Sequence, residues 1–249
     1  MDINLNRKTF LHDFLSPLNK IADKGIFSIK PDCVECLTCS SFDKKEQTII
    51  LYTKYIEKFN VDSEIHLNIP NINKLINVFS FLVDENVLLT LDNNSLSYKS
   101  VESGLSFRYH LLEEGVLDLP TVKMENIYKM GFDFEADLPN SILKTLLKGS
   151  SFADQTNKIY LYTKDNKLHG LLTDENIKNT DNIEFIVANS YTGVNIKKKI
   201  PMNLEIFRIV SLLNFENVKI KINVEKGIIM FEVINDKFVL QYIVTSLVK

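Results

Sequence analysis

The chain has 249 residues, of which 45% are hydrophobic and 24% charged, and its formal net charge is −3. This length suits one large domain or two of about 125 residues, and the apolar content can fill their cores. A mildly acidic chain does not wrap nucleic acid by bulk attraction, so such contact needs a local basic surface. No apolar run approaches the roughly 20 residues of a membrane helix, and the first residues lack a signal-peptide pattern. We therefore expect a cytoplasmic protein that does not enter a membrane.

The first half of the chain predicts two helices among several strands. Residues 8–22 place apolar side chains on one helical face. Pro17 lies inside this pattern, where it should kink the helix or mark its start. The elements that follow are strands at 26–30, 33–39, 47–53 and 64–69, a helix at 71–83 that begins after Pro70, and strands at 86–91, 95–99 and 105–111.

Residues 112–130 lose this regularity and are predicted to form a connector on the surface. The order of elements then repeats. It comprises a strand at 131–137, a helix at 139–149 with Pro139 just inside its start, strands at 158–163, 167–173, 183–188 and 195–200, a helix at 202–214, and strands at 217–224, 227–234 and 237–244. Many antiparallel strands with two helices in each half indicate an α+β fold.

Two segments of the chain are imperfect copies of each other. Residues 69–91 align with 200–222 without a gap, 131 positions apart, and both begin with Ile-Pro and contain Glu-Asn-Val. A repeat of about half the chain length indicates a duplicated domain. We therefore predict an N-terminal domain at 1–111, a connector at 112–130 and a C-terminal domain at 131–249.

The four helix faces that lie opposite the apolar stripes are neutral to basic, in a chain that is acidic overall. A single exposed lysine is an ordinary solvated charge, but segregation on all four helices favours a shared role. With two lysines of the Lys197-Lys198-Lys199 triplet, the residues concerned are Arg7, Lys8, His12, Lys20, Asn73, Lys74, Asn77, Lys144, Lys148, Lys197, Lys199 and Arg208.

Two tandem α+β units with outward basic helices and a long connector resemble the DNA sliding clamps. The phrase Leu11-His12-Asp13-Phe14 and the segment from Ile69 to Leu91 are most similar to the clamps of T-even-type bacteriophages, which are related to proliferating cell nuclear antigen. The resemblance implies a homotrimeric ring that duplex DNA threads without being read. It also implies a replicative DNA polymerase tethered for processive synthesis, an ATP-dependent clamp loader, and the basic residues above facing the pore.

The resemblance further implies that strand edges join the subunits and that partners bind beside the connector. The joining strands would be 105–111 and 183–188, with contacts from Phe107, Tyr109, Phe185 and Val187. The partner pocket would be lined by Leu117, Leu119, Ile127, Tyr128, Leu247 and Val248, although these residues could equally pin the connector to the core.

No motif in the chain indicates catalysis, a metal or a cofactor. Cys33, Cys36 and Cys39 form a C-x2-C-x2-C pattern, but a strand here would point Cys36 away from the other two. Nucleotide-binding and nucleophile-elbow glycine motifs are absent. Two alternatives to a clamp stay open: a non-ring interaction scaffold of duplicated domains, and a nucleic-acid-processing enzyme whose acidic residues converge only on folding.

Overall fold

The computed structural model describes residues 1–42, 47–92, 94–117, 122–150, 157–173, 181–213 and 215–247, with only the backbone described at 41 and 42. The chain divides into two compact units. Unit 1 comprises Met1–Ser40, Ile50–Thr121 and Ile234–Leu240, and unit 2 comprises Ser41–Ile49, Val122–Val233 and Gln241–Lys249. Among the helices of the described ranges, none combines the length and apolar character that crossing a membrane requires.

The first half of the chain contains eight of the described strands and two helical runs. The strands are β1 (Asp2–Asn6), β2 (Gly25–Lys30), β3 (Cys33–Phe42), β4 (Gln47–Ile56), β5 (Ile65–Ile69), β6 (Asn86–Asp92), β7 (Ser95–Lys99) and β8 (Ser106–His110). Helix α2 is Ile72–Phe81, and α1 is a continuous run made of Arg7–Thr9, Phe10–Leu15 and Ser16–Asn19. The order β1-β6-β7-β8 forms one antiparallel sheet, and β2 pairs with β3 and β5 in another.

The second half repeats this plan after an additional helix. That helix, α3, is Met124–Met130, and α4 (Asn140–Gly149) and α5 (Leu204–Ser211) follow. The strands are β9 (Phe134–Pro139), β10 (Lys158–Lys164), β11 (Lys167–Leu172), β12 (Ile183–Ala188), β13 (Thr192–Gly193), β14 (Ile200–Asn203), β15 (Asn217–Asn223), β16 (Ile228–Ile234) and β17 (Phe238–Thr245). In unit 2, one sheet has the order β12-β11-β10-β14, and the order β13-β9-β15-β16 begins a second.

The sequence repeat extends to the elements of both halves. Moving along the chain by 131 positions takes β6 onto β15 and α2 onto α5 within one residue at each end. The same step takes β1 close to β9, β8 close to β17, and β4 towards β12. The duplication predicted from 69–91 and 200–222 therefore covers the architecture, which is α+β with antiparallel sheets, as predicted.

The helix that contains Pro17 widens instead of kinking at the proline. The middle turn of α1 has π geometry, and both the backbone N–H and the hydroxyl of Ser16 donate to Leu11 O, the latter at 2.7 Å. Proline has no N–H to continue an α ladder and crowds the carbonyl four residues earlier. A wider turn relieves both problems. Phe10 and Phe14 still face the core, with ring centroids 5.0 Å apart.

Three boundaries differ from the sequence prediction. Helix α3 lies in the region that was expected to be irregular. Its apolar residues Met124, Ile127 and Met130 recur every three positions, but the polar residues between them hide this spacing in the sequence. The strand expected at 195–200 begins only at Ile200, and a two-residue strand, β13, precedes it. Pro139 ends β9 and precedes α4, because its extended ψ of 132° is not helical.

The close approach of β13 to β9 depends on Gly193. This glycine has φ +96°, and a Cβ there would lie 1.9 Å from Asp133 O. Val194 N donates to that same oxygen at 2.9 Å. Gly104 also has a positive φ, +66°, but a Cβ there meets nothing within 4 Å.

We expect Gly193→Ala to destabilise the protein by about 3 kcal/mol, and the matched control Gly104→Ala by about 1 kcal/mol. In both variants a residue with a Cβ must adopt a positive φ, which is unfavourable. Only in Gly193→Ala would that Cβ also collide with Asp133 O, so the backbone would have to move. Urea unfolding followed by circular dichroism measures both. Equal losses of stability in the two variants would show that the close approach of residue 193 to Asp133 O contributes nothing.

Candidate functional site: basic helix faces and open strand edges

Helix α4 has a buried apolar face and an exposed basic face. Leu143 and Leu146 are fully buried, while Lys144 and Lys148 are exposed one turn apart. No acidic residue lies in the first turn of this helix. The two lysines therefore present positive charge on the side of the helix that faces away from the core, as the helical spacing predicts.

Helices α2 and α5 carry weaker positive charge. Asn73, Lys74 and Asn77 are all exposed on α2, where Lys74 is the single cation. On α5, Arg208 is exposed but forms an ion pair with Glu205, with Nη1 2.9 Å from Oε2. Glu205 thus offsets part of the positive charge of Arg208. The i,i+3 spacing of the two residues in the sequence could have indicated this ion pair.

The run α1 exposes three of its four predicted residues. Lys8, His12 and Lys20 are exposed, Lys20 lying just past the last turn. Arg7 is half-buried, and its Nε donates to Asp84 O at 3.2 Å, so it also holds the chain before β6. Burial raises the pKa of Asp13, which weakens the negative charge of this run as the pH falls.

Lys199 does not share the helix-covered side of its sheet. Its Nζ lies 5.7 Å from the ring centroid of Tyr162, whose hydroxyl donates to Glu184 at 2.6 Å. The next residue, Phe185, points the opposite way and contacts Gly149 at the end of α4. Lys199 therefore lies over the outer face of the sheet in this structure, and a role for it beside the helix faces stays a prediction. Lys197 is exposed in the loop before β14, beside Lys164, and belongs to no helix.

The strands predicted to join subunits are both terminal in their sheets. Strand β8 ends the order β1-β6-β7-β8, and β12 ends the order β12-β11-β10-β14. Phe107 on β8 is half-buried and stacks on Tyr98 with centroids 5.6 Å apart. Both strands therefore have one side without a neighbour among the described residues, which leaves backbone groups available for pairing.

Two of the predicted interface side chains belong to the interior of their own units. Tyr109 is buried, and its hydroxyl donates to Asn71 O at 2.7 Å and accepts from Asn71 N. Val187 is 0% exposed. Strand alternation explains both, since these positions face the helices. Tyr109 and Val187 are thus satisfied within their own units, and the half-buried Phe107 and Phe185 are the more accessible of the four predicted interface side chains.

A polar cluster lies on the outer face of β12 and its neighbours. The Tyr162 hydroxyl donates to Glu184 Oε1, and the ring of buried His169 stacks on Tyr162 with centroids 5.5 Å apart. His169 Nδ1 lies 2.7 Å from Glu184 Oε1, but its hydrogen-bonding geometry is poor. Burial, followed by the bond to Glu184, raises the pKa of Tyr162 to about 12, and that bond lowers the pKa of Glu184.

We expect Tyr162→Phe to raise the pKa of Glu184 towards its ordinary value, because the carboxylate loses its hydroxyl donor. Stability from the lowered pKa is present above the ordinary value and is lost as pH falls through the folded value. The wild-type protein should therefore lose more stability in acid than the variant. Carboxyl NMR titration and urea midpoints at neutral and acid pH measure this.

Tyr191→Phe is the control for this measurement, since the Tyr191 hydroxyl bonds Asn195 instead of a carboxylate. An unchanged Glu184 titration in Tyr162→Phe would contradict the assigned cause.

Of the four described residues that were predicted to line a partner pocket, three lie in unit 2. Ile127 and Leu247 are buried, and Leu247 N donates to Pro201 O at 2.9 Å. Tyr128 is 47% exposed. Leu117 is half-buried in unit 1, and Leu119 and Val248 lie outside the described residues.

A chain of polar contacts holds α3 against the sheet of unit 2. The Tyr128 hydroxyl donates to Gln241 Oε1 at 2.6 Å, and Gln241 Nε2 donates to Glu232 Oε2 at 2.6 Å. Lys221 Nζ completes the chain, 2.7 Å from Glu232 Oε1. These contacts pin α3 to its unit. That is one of the two roles that the sequence left open for Ile127 and Tyr128.

The three cysteines do not converge on a metal site. Cys33 and Cys36 are buried and Cys39 is exposed, and no group of metal-binding side chains occurs among the described residues. Burial raises the pKa of Cys33 to about 11 and that of Cys36 further. Both thiols therefore hold their protons at neutral pH, whereas a metal ligand is a thiolate.

Comparison with solved structures establishes the fold. The chain superposes on a proliferating cell nuclear antigen (PCNA) of A. fulgidus, solved with the C-terminal region of FEN-1, with a TM-score of 0.73 at 9% identity, covering 100% of this chain and 98% of that one. Against the PCNA2–PCNA3 complex of Sulfolobus tokodaii, the TM-score is 0.68 at 13% identity, with 99% of each chain covered.

The chain also superposes on a bacterial clamp. Against the DNA polymerase III beta subunit of Borrelia burgdorferi, the TM-score is 0.73 at 13% identity, covering 100% of this chain and 63% of that one. No protein-family model and no curated protein sequence matches the chain. The chain has the sliding-clamp fold.

Proposed function

We propose that this protein is a DNA sliding clamp, a non-catalytic ring that encircles duplex DNA and tethers a replicative DNA polymerase. The observation that supports it is the segregation of positive charge onto exposed helix faces of a sliding-clamp fold. A non-ring scaffold gives no physical reason for such segregation, whereas a nucleic-acid-processing enzyme would also need a basic surface and would be exposed by a nuclease assay with Mg²⁺.

The charge on these faces is opposite in sign to that of the whole chain. Residues 7–20, α2, α4 and α5 contain seven lysines and arginines and only two acidic residues, Asp13 and Glu205, whereas the chain carries −3. One of those acids has a raised pKa and the other is paired with Arg208. The rest of the protein is correspondingly acidic and would repel DNA from other surfaces.

Contacts of this kind suit DNA that slides. Duplex DNA carries one phosphate charge per roughly 1.7 Å of axis, so separated lysines attract it at every position and in every sequence. Side chains that read base edges would hold the DNA in one register. The predicted contact residues that are exposed on these faces are lysines, asparagines, His12 and one paired arginine, which suits weak and interchangeable phosphate contacts.

The repeat within the chain supports a closed ring. Strand β17 corresponds to β8, and β4 corresponds to β12, at the 131-residue spacing. In unit 1, Ile56 N on β4 donates to Lys237 O beside β17, at 2.7 Å. By analogy, the open edge β8 of one copy pairs with the open edge β12 of the next. Such a head-to-tail contact generates a ring when the rotation closes. We propose three copies, giving six units.

The partners follow from the same proposal. The polymerase and an ATP-dependent loader would bind beside α3 and the C-terminal residues, where Tyr128 offers an exposed aromatic ring. Membership of the T-even-type bacteriophage group, with a place in the host cytoplasm, is the finer form of this proposal. It rests on the Leu11-His12-Asp13-Phe14 phrase and the Ile69–Leu91 segment.

Sequence reasoning missed an exposed apolar segment near β8. Phe81 is 74% and Val83 is 78% exposed. The next residue, Asp84, accepts a hydrogen bond from Tyr98, whose ring stacks on Phe107. The break in helical spacing at Phe81 could have indicated it. We include Phe81 in the proposed joint, because a large exposed apolar side chain beside an open edge suits contact with another copy.

We expect Phe81→Glu to convert the ring to monomers at low micromolar concentration, because a desolvated charge opposes burial of the joint. Leu212→Glu is the matched control: Leu212 occupies the repeat-equivalent position and is 65% exposed, but the β17 edge of its half already has a neighbour. Analytical ultracentrifugation measures the mass. A monomeric wild-type protein would exclude the ring, and a trimeric Phe81→Glu variant would exclude this joint.

We expect replacement of Lys74, Lys144 and Lys148 by Ala to weaken binding to duplex DNA of arbitrary sequence and to flatten its salt dependence. For every phosphate that the variant no longer neutralises, the slope of log affinity against log salt should fall by about 0.9. The charge-matched control replaces Lys24, Lys99 and Lys226, which are exposed outside the helices. Fluorescence anisotropy across a salt series measures both. Equal slopes in the two variants would contradict the assignment of the helix faces.

A further inference from the structure

Within the described ranges, edge strand β1 has outward backbone groups without a partner, whereas the equivalent strand in unit 2 has its own closing residues. Leu91 N donates to Met1 O at 2.7 Å, and Arg7 N donates to Glu85 O at 2.8 Å. Antiparallel pairing alternates, so with the observed register Ile3 and Leu5 bond inward to β6. The backbone groups of Asp2 and Asn4 therefore point away from the sheet, and no described strand pairs with them.

In unit 2, the same positions are occupied. Asp133 and Glu135 lie 131 residues after Asp2 and Asn4 and flank the start of β9. Thr192 pairs with Glu135, and Val194 N donates to Asp133 O at 2.9 Å. Unit 2 thus closes this edge with its own residues, which shows that the edge geometry accepts an added strand.

The corresponding loop of unit 1 is engaged elsewhere. Residues 57–64 lie 131 positions before the loop that supplies β13. There, Glu57 N donates to Asp32 O at 3.2 Å and Phe59 N to Pro31 O at 2.9 Å, so the loop bonds the turn between β2 and β3. The side chain of Phe59 is buried. This loop is therefore not available to close β1.

We propose that β1 is a docking edge for an extended, basic peptide segment of a partner protein, which adds a strand antiparallel to β1. Backbone groups of Asp2 and Asn4 would bond the peptide as Asp133 and Glu135 bond β13. The side chains on this face determine which peptide is preferred. Asp2 and Asp92 are exposed there, and so is Leu88, which lies opposite Asn4. A lysine or arginine opposite Asp2 complements this face.

The occupant is a partner peptide and not a second copy of this chain. Two β1 strands paired antiparallel about Asn4 would set Asp2 opposite Asn6, and paired about Asp2 they would set the two Asp2 carboxylates together; neither supplies the opposite charge that a basic peptide offers to Asp2 and Asp92. A short edge with free groups at two residues favours weak and reversible binding. The proposal is independent of DNA encirclement, because it concerns an edge other than β8 and β12.

The test uses a synthetic peptide with the sequence of residues 189–196, the segment that closes the equivalent edge, and a second peptide with lysine at the position of Val194. Titrated into the full ¹⁵N-labelled protein, both should shift the amide signals of Asp2 and Asn4. At low salt, the lysine peptide should bind up to about 5-fold more tightly, an advantage that high salt removes.

Protein variants separate backbone pairing from other binding. Asn4→Pro removes an outward N–H while keeping the bonds of β1 to β6, so affinity should fall about 10-fold or more. Asn4→Ala keeps that N–H and should bind like the wild-type protein. A peptide whose backbone nitrogen is methylated at the position of Val194 cannot donate that hydrogen bond and should also lose binding. This experiment tests backbone pairing with the wild-type protein.

Three results would overturn the proposal. The first is the absence of shifts at Asp2 and Asn4 at millimolar peptide. The second is equal binding to Asn4→Pro and Asn4→Ala. The third is a smaller particle mass for Asn4→Pro than for Asn4→Ala, which would assign the edge to a second copy. Because the readout is peptide binding, it stays interpretable if the protein proves not to bind DNA.

Discussion

Hydrogen bonding along the edges of antiparallel sheets is the constraint on which the rest of this structure depends. A strand at the end of a sheet presents backbone groups that need a partner or water. The chain treats four strand edges in different ways. Strand β9 is closed by β13, whereas β8, β12 and β1 each have one side without a neighbour among the described strands. Because the two halves repeat, each closed edge in one half shows what its counterpart in the other can accept.

The distribution of charge on the surface depends on how the helices pack against the sheets. The sheets bury one side of each helix, so the opposite side is available for function without cost to the core. Lys144 and Lys148 show this directly, with fully buried leucines beneath them. The fold therefore places positive charge on the helices and leaves strand edges open in the sheets. A surface that relies on spacing instead of one precise residue also tolerates change, which is consistent with structural likeness at about 9–14% identity.

The sequence predicted most of the fold because periodicity is strong where one face is buried. The four long helices, most strand bounds and the duplication were visible in apolar spacing. Helix α3 was missed, since one buried side chain, Ile127, gives too weak a pattern in so short a helix. At the candidate site, exposure of Lys144 and Lys148 was predictable from the helical wheel. The position of Lys199 was not, because it depends on the outer face of a sheet and on Tyr162. Burial of Tyr109 and Val187 was also missed, since an edge strand has an inner face as well as an open side.

The polar chain from Lys221 through Glu232 and Gln241 to Tyr128 has a consequence for how the connector behaves. It links a helix on the surface to three successive strands of a sheet, so the seating of that helix depends on side chains far from it in sequence. Replacement of Lys221 would leave Glu232 with an uncompensated buried charge and would loosen Tyr128 without touching it. The position of Tyr128 on α3 is thereby coupled to the strands of unit 2 through side-chain contacts alone.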